Sequence, residues 1–210
     1  MLSPRLSIVQ VCHRLAASGF VAAFDGNVSA RLDGRTILIT AGNRNKGEIT
    51  VEDIVDVALD GKPRQRGPVP SSELPMHLAI YRSRPDVHAV VHAHPPFATA
   101  FAVSGTQLTA NVFPEVILSL GDIPLVPYAT PSTEDVGKAL MPFLASSHAA
   151  LLSNHGAVTW ASTPDEAYWL MEKLEHTAHI EWLARSLGGV QKLPPDAVDA
   201  LKRIHPYSST

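Results

Sequence analysis

The stretch VVHAHPP, residues 90–96, places two histidines at the end of an apolar run. The small and β-branched residues of 87–94 predict a buried strand, and the prolines that follow predict its end. Because successive side chains of a strand point to opposite faces, His92 and His94 would project from the same face. The pair is either a local hydrogen-bonding feature or part of a ligand set, and the spacing alone favours the first interpretation.

A third histidine changes that balance. In SNHGAV, residues 153–158, His155 stands in a polar break between two apolar runs and directly before a glycine. A turn between two strands at this point would bring a third imidazole to His92 and His94. Three histidines are typical of catalytic zinc, because they leave a coordination position open for substrate.

A candidate base lies in PSSELPMH, residues 70–77. We expect Glu73 in the first turn of a helix whose free amide groups would bind an anion together with the hydroxyls of Ser71 and Ser72. The alternative is a plain helix cap, with Ser72 as N-cap and Glu73 interacting with the helix dipole. The two interpretations are compatible.

A second candidate anion site is FDGNVSAR, residues 24–31. Gly26, Asn27 and Ser29 are either ordinary residues at the entry of a hairpin or donors around a phosphate. The sequence leaves both interpretations open.

The remaining patterns predict one mixed domain over residues 1–210, with antiparallel strand pairs rather than a regular succession of βαβ units. The predicted helices cover 4–18, 50–55, a segment from Ser72 to before Pro85, 95–105, 114–121, 133–146 and 163–187. The predicted strands cover 27–32, 36–40, 55–63, 87–94, 123–128 and two segments within 149–162 that are separated at 154–156.

Composition excludes several classes of function. The 210 residues carry a formal charge of -3, with 45% hydrophobic and 18% charged residues, so nucleic acid is not an expected partner. The single cysteine, Cys12, excludes an internal disulfide framework and a cysteine-rich zinc module. No segment reads as a signal sequence or a membrane span, and we expect a cytoplasmic protein.

Taken together, these blocks resemble the class II aldolase/adducin superfamily, of which L-fuculose-phosphate aldolase is a representative. The matching blocks, in order, are GNVSAR, ILIT with its glycine loop, SSELPMHLAIYRSRPDVHAVVHAHPP, PLVPYAT and LLSNHGAV. They extend from about residue 5 to residue 187. The resemblance implies an α/β fold, a three-layer sandwich with a largely antiparallel central sheet flanked by helices.

The resemblance also implies a site and an assembly. Glu73 would be the acid/base and would approach the metal when no substrate is bound. The metal would be zinc (Zn2+), with Mn2+ or Co2+ as alternatives, and the protein would be a homotetramer with its sites between subunits. The implied metal ligands are His92, His94, His155 and Glu73, and the implied phosphate-binding residues are Asn27, Thr40, Gly42, Ser71 and Ser72.

The implied reaction is cleavage of a phosphorylated ketose, similar to L-fuculose 1-phosphate, to dihydroxyacetone phosphate and an aldehyde through an enediolate. The alternatives within the superfamily are a sugar-phosphate 4-epimerase, a dehydratase and a decarboxylase. A further alternative is a non-catalytic scaffold domain of the adducin kind, which would need no convergent set of ligands.

The chain departs from the family pattern at two places. TAGNRNKG replaces a TPSG-type loop, which displaces Gly42. Lys46 in this loop either contacts a ligand or is solvated, and we expect it to be solvated. FPEVILSLG, residues 113–121, lacks the tyrosine that fuculose aldolase contributes across the subunit interface and offers Phe113 or Glu115 instead. Tyr207 is a candidate for a second family-like tyrosine.

The other histidines and the tryptophans are assigned structural roles. His77 and His88 have no matching ligand role, and His176 with His179 is interpreted as a surface or packing pair on the long helix. The tryptophans expected in the core or at subunit contacts are Trp160, Trp169 and Trp182.

Overall fold

Seven β-strands form one sheet in the computed structural model, which describes residues 3–109 and 111–204. The strands are β1 (Asn27–Arg31), β2 (Thr36–Thr40), β3 (Ile54–Ala58), β4 (Ala89–Ala93), β5 (Leu125–Val126), β6 (Ala149–Leu152) and β7 (Gly156–Ala161). Their order is β3-β2-β1-β4-β7-β6-β5, and every neighbouring pair is antiparallel except β5 and β6. The prediction of a largely antiparallel central sheet is confirmed.

Helices cover both faces of this sheet. They are α1 (Pro4–Ala17), α2 (Leu74–Ser83), α3 (Pro96–Ser104), α4 (Pro114–Ser119), α5 (Glu134–Leu140), α6 (Pro164–Ser186) and α7 (Pro195–Ile204). α1 and α3 pack against α6 on one face, whereas α2 and α5 pack together on the other. The predicted three-layer sandwich is therefore confirmed.

The alternation of strand side chains accounts for two separate cores. In β2, Leu38 belongs to the core under α1 and α6, while Ile37 and Ile39 belong to the core under α2 and α5. All three side chains are at most 1% exposed. Full burial of such a side chain contributes about 1.5–3 kcal/mol, so an apolar strand is stable only where both faces are covered.

Several element boundaries differ from the prediction. The strand predicted over 123–128 pairs only at Leu125–Val126, because Pro124 and Pro127 lack the amide protons that a ladder needs. The strand predicted over 55–63 ends at Ala58, before the turn at Gly61. The helix predicted over 133–146 gives way to a 3-10 turn at 141–143, which contains Pro142.

The start of α2 also differs from the prediction. Glu73, rather than Ser72, occupies the N-cap position, and its side chain accepts no hydrogen bond from the helix amides. α7 was not predicted at all. Across 3–109 and 111–204, no helix combines the length and apolarity needed to cross a membrane.

Candidate metal and acid/base site

Three imidazoles converge at one end of the central strands. His92 lies near the end of β4, His94 follows it, and the turn between β6 and β7 presents His155, with Asn154 at φ 56°. The Nε2 atoms of His92 and His94 are 3.2 Å apart, and one ligand nitrogen from each of the three residues lies within 4.8 Å of the others. Nitrogen ligands at about 2.0–2.1 Å from a tetrahedral zinc ion are about 3.3 Å apart, so this geometry fits one divalent cation.

The carboxylate of Glu73 faces the same point. Its Oε2 is 3.0 Å from Nε2 of His92, and its Oε1 is 3.1 Å from Nε2 of His155. Burial would raise the pKa of Glu73, but His92 and His155 hold that pKa well below its ordinary value. The side chain is therefore an ionised carboxylate, only 12% exposed, among nitrogen ligands.

The pKa values of His92 and His94 are shifted in opposite directions. Burial opposes protonation of His92, yet the Glu73 carboxylate raises the pKa of His92 above its ordinary value. Burial, followed by the charges of His92 and His155, lowers the pKa of His94 to about 4. His94 is therefore a neutral imidazole near pH 7, as a metal ligand must be.

Contacts on the outer side of the rings fix their orientation. The carbonyl oxygen of Ala157 accepts a 2.9 Å hydrogen bond from Nδ1 of His92, which directs Nε2 inward. Asp25 Oδ2 lies 3.4 Å from Nδ1 of His94. Asp25 was not among the predicted site residues, although it stands within the FDGNVSAR stretch that was singled out.

Two glycines allow the backbone to close around the ligands. A Cβ at Gly156 would lie 2.4 Å from Cδ2 of His94 and 2.7 Å from the carbonyl oxygen of Ala93. Gly26 has φ +71°, and a Cβ there would lie 2.9 Å from the carbonyl oxygen of His92. Any other residue at either position would clash with a histidine, so either the glycine's own segment or the histidine would have to shift.

A buried carboxylate from α6 anchors the turn that follows His94. Pro95 and Pro96 have no amide proton, so the first free amides of α3 belong to Phe97 and Ala98. They donate to the two oxygens of Glu175 at 2.9 and 2.8 Å. This charge-assisted cap ties the start of α3, and with it His94, to the long helix.

The predicted phosphate-binding residues cluster beside Glu73. The buried Thr40 accepts from the Val28 amide at 3.3 Å through Oγ1, and its carbonyl oxygen accepts from the Ser71 amide at 3.0 Å. Ser71 Oγ in turn accepts from the Glu73 amide at 3.3 Å. Asn27 directs its side-chain amide at Glu73 Oε2, at 2.8 Å.

Gly42 and Ser72 lie at the border of this cluster. The Gly42 amide donates to the carbonyl oxygen of Val69 at 3.0 Å, so the displaced glycine loop still packs against the segment before α2. Ser72 is exposed and accepts a 2.9 Å hydrogen bond from Oγ of Ser132. Ser132 has φ +66°, which is uncommon for serine, and sequence reasoning did not include it.

The prediction that Lys46 is solvated is wrong. Its side chain is buried, and Nζ donates to the carbonyl oxygens of Phe24 at 3.1 Å and Arg44 at 2.6 Å. Two backbone carbonyls thus replace water around the ammonium group. Lys46 links the glycine loop to the turn that carries Asp25.

The residues assigned structural roles fall into different environments. His88 and His176 are exposed, while the ring of His179 stacks on Phe97 at 3.8 Å between centroids. Trp160 is fully buried, whereas Trp169 and Trp182 are about half exposed.

Phe113 is the N-cap of α4, and Glu115 lies in its first turn. Tyr207 lies outside the described residues.

Residues 7–182 match the family described as the Class II Aldolase and Adducin N-terminal domain. The chain belongs to this family. It is 31% identical over 201 residues to the 5-deoxy-D-ribulose 1-phosphate aldolase of Bacillus thuringiensis, covering 95% of this chain and 93% of that protein. It is 32% identical over 182 residues to the 3-oxo-tetronate 4-phosphate decarboxylase of Escherichia coli, covering 85% of each.

A solved structure agrees with these relatives. An L-fuculose 1-phosphate aldolase superposes with a TM-score of 0.88 at 26% identity, covering 97% of both chains. The class II aldolase family thus includes similar proteins named for aldol cleavage and for decarboxylation. The fold and the metal-binding pattern therefore do not select the reaction by themselves.

Proposed function

We propose that the chain is a zinc-dependent aldolase that cleaves a phosphorylated ketose, of the L-fuculose 1-phosphate kind, to dihydroxyacetone phosphate and an aldehyde. The observation that carries the proposal is the carboxylate of Glu73, which lies within 3.0–3.1 Å of two imidazoles that can hold a cation. The similarity to the Bacillus thuringiensis aldolase over 95% of the chain supports cleavage of a 1-phosphoketose.

The residues present fit a divalent cation, with His92, His94 and His155 as its ligands. When bound, such a cation would polarise a substrate carbonyl and stabilise the negative charge that develops on its oxygen. The neutral His94 and the inward Nε2 of His92 suit this role. Zn2+ is the proposed ion because it accepts three imidazoles, and Mn2+ and Co2+ are the alternatives.

Glu73 is assigned the proton transfer at carbon. In cleavage, the hydroxyl proton of the substrate passes to water, the carbon–carbon bond breaks, and the electron pair of that bond passes into an enediolate. Glu73, once displaced from the histidines, takes up a proton from water and delivers it to the enediolate carbon, which completes dihydroxyacetone phosphate. Substrate oxygens must first displace the carboxylate from the histidines, since a group with so low a pKa holds no proton.

The phosphate group is assigned to the cluster beside Glu73. Ser71 and Ser72 lie directly before α2, and Thr40 with Gly42 lies against them. The hydroxyls of Thr40, Ser71 and Ser72 accept hydrogen bonds within the protein, so their own protons can be donated to phosphate oxygens while the ketose end reaches the histidines. Asn27 would have to turn from Glu73 to reach the same phosphate.

Decarboxylation is a second candidate, which a specific feature favours. Segment 113–121 contains no tyrosine to accept the hydroxyl proton that aldol cleavage releases. Loss of carbon dioxide from a 3-oxo acid requires no such base, because the electron pair of the broken bond enters the enediolate directly. Glu73 would then protonate carbon as before, as the similarity to the Escherichia coli decarboxylase suggests.

A substrate panel tests the two candidates together. The purified chain, loaded in turn with zinc, manganese and cobalt, is given 1-phosphoketoses, 3-oxo-tetronate 4-phosphate and a pentulose 5-phosphate. We expect dihydroxyacetone phosphate and an aldehyde from a 1-phosphoketose. Carbon dioxide without aldehyde would transfer the assignment to decarboxylase, and turnover of the pentulose phosphate alone would transfer it to epimerase.

Glu73→Gln is the matching variant. It removes the ionisable group but keeps the shape, so cleavage should fall at least about 100-fold while the metal content, measured by mass spectrometry, stays at one ion per chain. Full cleavage by this variant would place the base elsewhere. A wild-type protein without stoichiometric divalent metal would favour the scaffold alternative.

The homotetramer is also proposed here. Trp169 and Trp182 of α6 are 53% and 52% exposed, which supports an interface on this helix. Light scattering coupled to size-exclusion chromatography should give four times the mass of the 22.5 kDa chain. A monomeric mass would contradict the assembly.

A further inference from the structure

Behind Glu73, polar side chains of α2 and β1 form one continuous hydrogen-bonded chain. Glu73, His77 and Tyr81 follow one another at four-residue steps along one face of the helix, and Asn27 with Ser29 lies two apart on the strand. Four residues of helix rise about 6 Å and two residues of strand about 6.8 Å, so the two rows interdigitate.

Four contacts join these five side chains. Asn27 Nδ2 lies 2.8 Å from Glu73 Oε2, and Asn27 Oδ1 is hydrogen-bonded to Nε2 of His77. Ser29 Oγ lies 2.6 Å from Nδ1 of His77. The same Oγ lies 2.8 Å from the hydroxyl of Tyr81. Glu73 is therefore connected to the interior of the sheet sandwich.

The carboxylate fixes the direction of every hydrogen bond in this chain. An ionised carboxylate only accepts, so Asn27 turns its NH2 group to Glu73 and its carbonyl oxygen to His77. That oxygen requires an N–H at Nε2 of His77, which leaves Nδ1 bare to accept from Ser29. The hydroxyl of Ser29 then accepts from Tyr81.

Burial makes this arrangement obligatory. His77 and Ser29 are fully buried, Tyr81 is 1% exposed and Asn27 is 3% exposed. Burial lowers the pKa of His77 to about 3, so the ring is neutral and must adopt one tautomer. Loss of any one of these four hydrogen bonds would leave a buried donor or acceptor without a partner.

We propose that His77 is a positioning residue, which acts on Glu73 through Asn27. Its Nε2–H group holds the Asn27 carbonyl away from Glu73, so the NH2 group is fixed on Oε2. Oε2 already faces His92 as well, whereas Oε1 faces only His155. Oε1 is thus the oxygen that exchanges the proton with carbon, a statement that rests on the proposed function.

Without the His77 donor, the Asn27 amide could turn over. Its carbonyl oxygen would then face the carboxylate at 2.8 Å, where the two acceptors repel each other. Glu73 would move or lose its fixed orientation. A misplaced base costs about 100-fold in rate, whereas Thr40, Ser71 and Ser72, which make no hydrogen bond to Asn27 or His77, can still bind the phosphate.

The tautomer is measured first, on wild-type protein freed of metal by chelation and labelled with nitrogen-15 at histidine. The His77 resonances are assigned from their absence in His77→Gln. We expect a protonated Nε2 and a bare Nδ1 at pH 7.5. A protonated Nδ1, or a doubly protonated ring, overturns the proposal whether or not the protein has the proposed activity.

Kinetics provide the second measurement, on the reaction found with the substrate panel. His77→Met removes the donor and should lower kcat about 100-fold while KM changes less than about threefold. His77→Gln can place an N–H near the position of Nε2. Its kcat should therefore be at least about tenfold higher than that of His77→Met. Equal kcat values for the two variants contradict the positioning role.

A control variant separates positioning from general destabilisation. Tyr168→Phe removes a buried hydroxyl that bonds to Ser18 at 2.9 Å and Glu172 at 2.7 Å, on the opposite face of the sheet. It should lower the thermal midpoint comparably to His77→Met but leave kcat unchanged. A similar loss of kcat in both variants would show that His77 acts only through stability. Absence of any turnover by the wild type would refute the proposed function and leave the tautomer result standing.

Discussion

Acidification should destabilise the protein through His77. The pKa of this fully buried ring is lowered from 6.5 to about 3, because burial disfavours its charged form. The unfolded chain therefore takes up the proton first, and the free energy of unfolding falls as the pH drops from 6.5 towards 3. Proton linkage gives a loss of about 2 kcal/mol between pH 7.5 and 5, and about 5 kcal/mol over the whole interval.

Urea unfolding of the chelated protein at fixed concentration measures this loss. The free energy of unfolding is determined at pH 7.5, 6.5, 5.5 and 5 for the wild type and His77→Gln. Between pH 7.5 and 5, we expect the fall in the free energy of unfolding to be about 2 kcal/mol smaller in His77→Gln than in the wild type. His88→Gln, which replaces an exposed histidine, should follow the wild type. Identical pH dependence in all three proteins would show that His77 is accessible to protons in the folded state.

Two further predictions concern metal affinity, measured by competition with a chromophoric chelator. Gly156→Ala would place a Cβ 2.4 Å from Cδ2 of His94 and should weaken zinc binding at least about tenfold; unchanged affinity would mean that the ring moves without cost. Asp25→Asn removes the carboxylate that lies 3.4 Å from Nδ1 of His94 and should weaken binding about tenfold. Asp33→Asn, in the exposed turn of the hairpin, is the control, and equal effects of the two substitutions would contradict a role for Asp25.

Local patterns were enough to predict most elements of the sheet. The hairpin of β1 and β2 and the strand that carries His92 follow from alternation and β-branched residues, which act within a few positions. The two-residue length of β5 was also predictable from the sequence, since Pro124 and Pro127 limit the ladder to the residues between them. α7 begins with Pro195 at a helix start and ends with basic residues, a signal that was present but not used.

The site depends on contacts between distant segments, which local patterns do not contain. The convergence of Glu73 with three histidines was expected from resemblance, because no spacing rule places α2 beside the turn that presents His155. Lys46 is polar and stands in a glycine-bearing loop, so nothing nearby reveals that the carbonyls of Phe24 and Arg44 enclose it. The four-residue steps from Glu73 to His77 and Tyr81 were visible, but their partners on β1 were not.

The anchor of α3 has a consequence for the order in which the protein is completed during synthesis. Glu175 holds the amides of Phe97 and Ala98, next to the segment that carries His94, although it lies 77 residues beyond Ala98. All three histidines therefore leave the ribosome before the residue that fixes the turn after the second of them. A nascent chain that ends shortly after His155 would have every ligand but not this restraint, so tight metal uptake should begin only once α6 has emerged and docked.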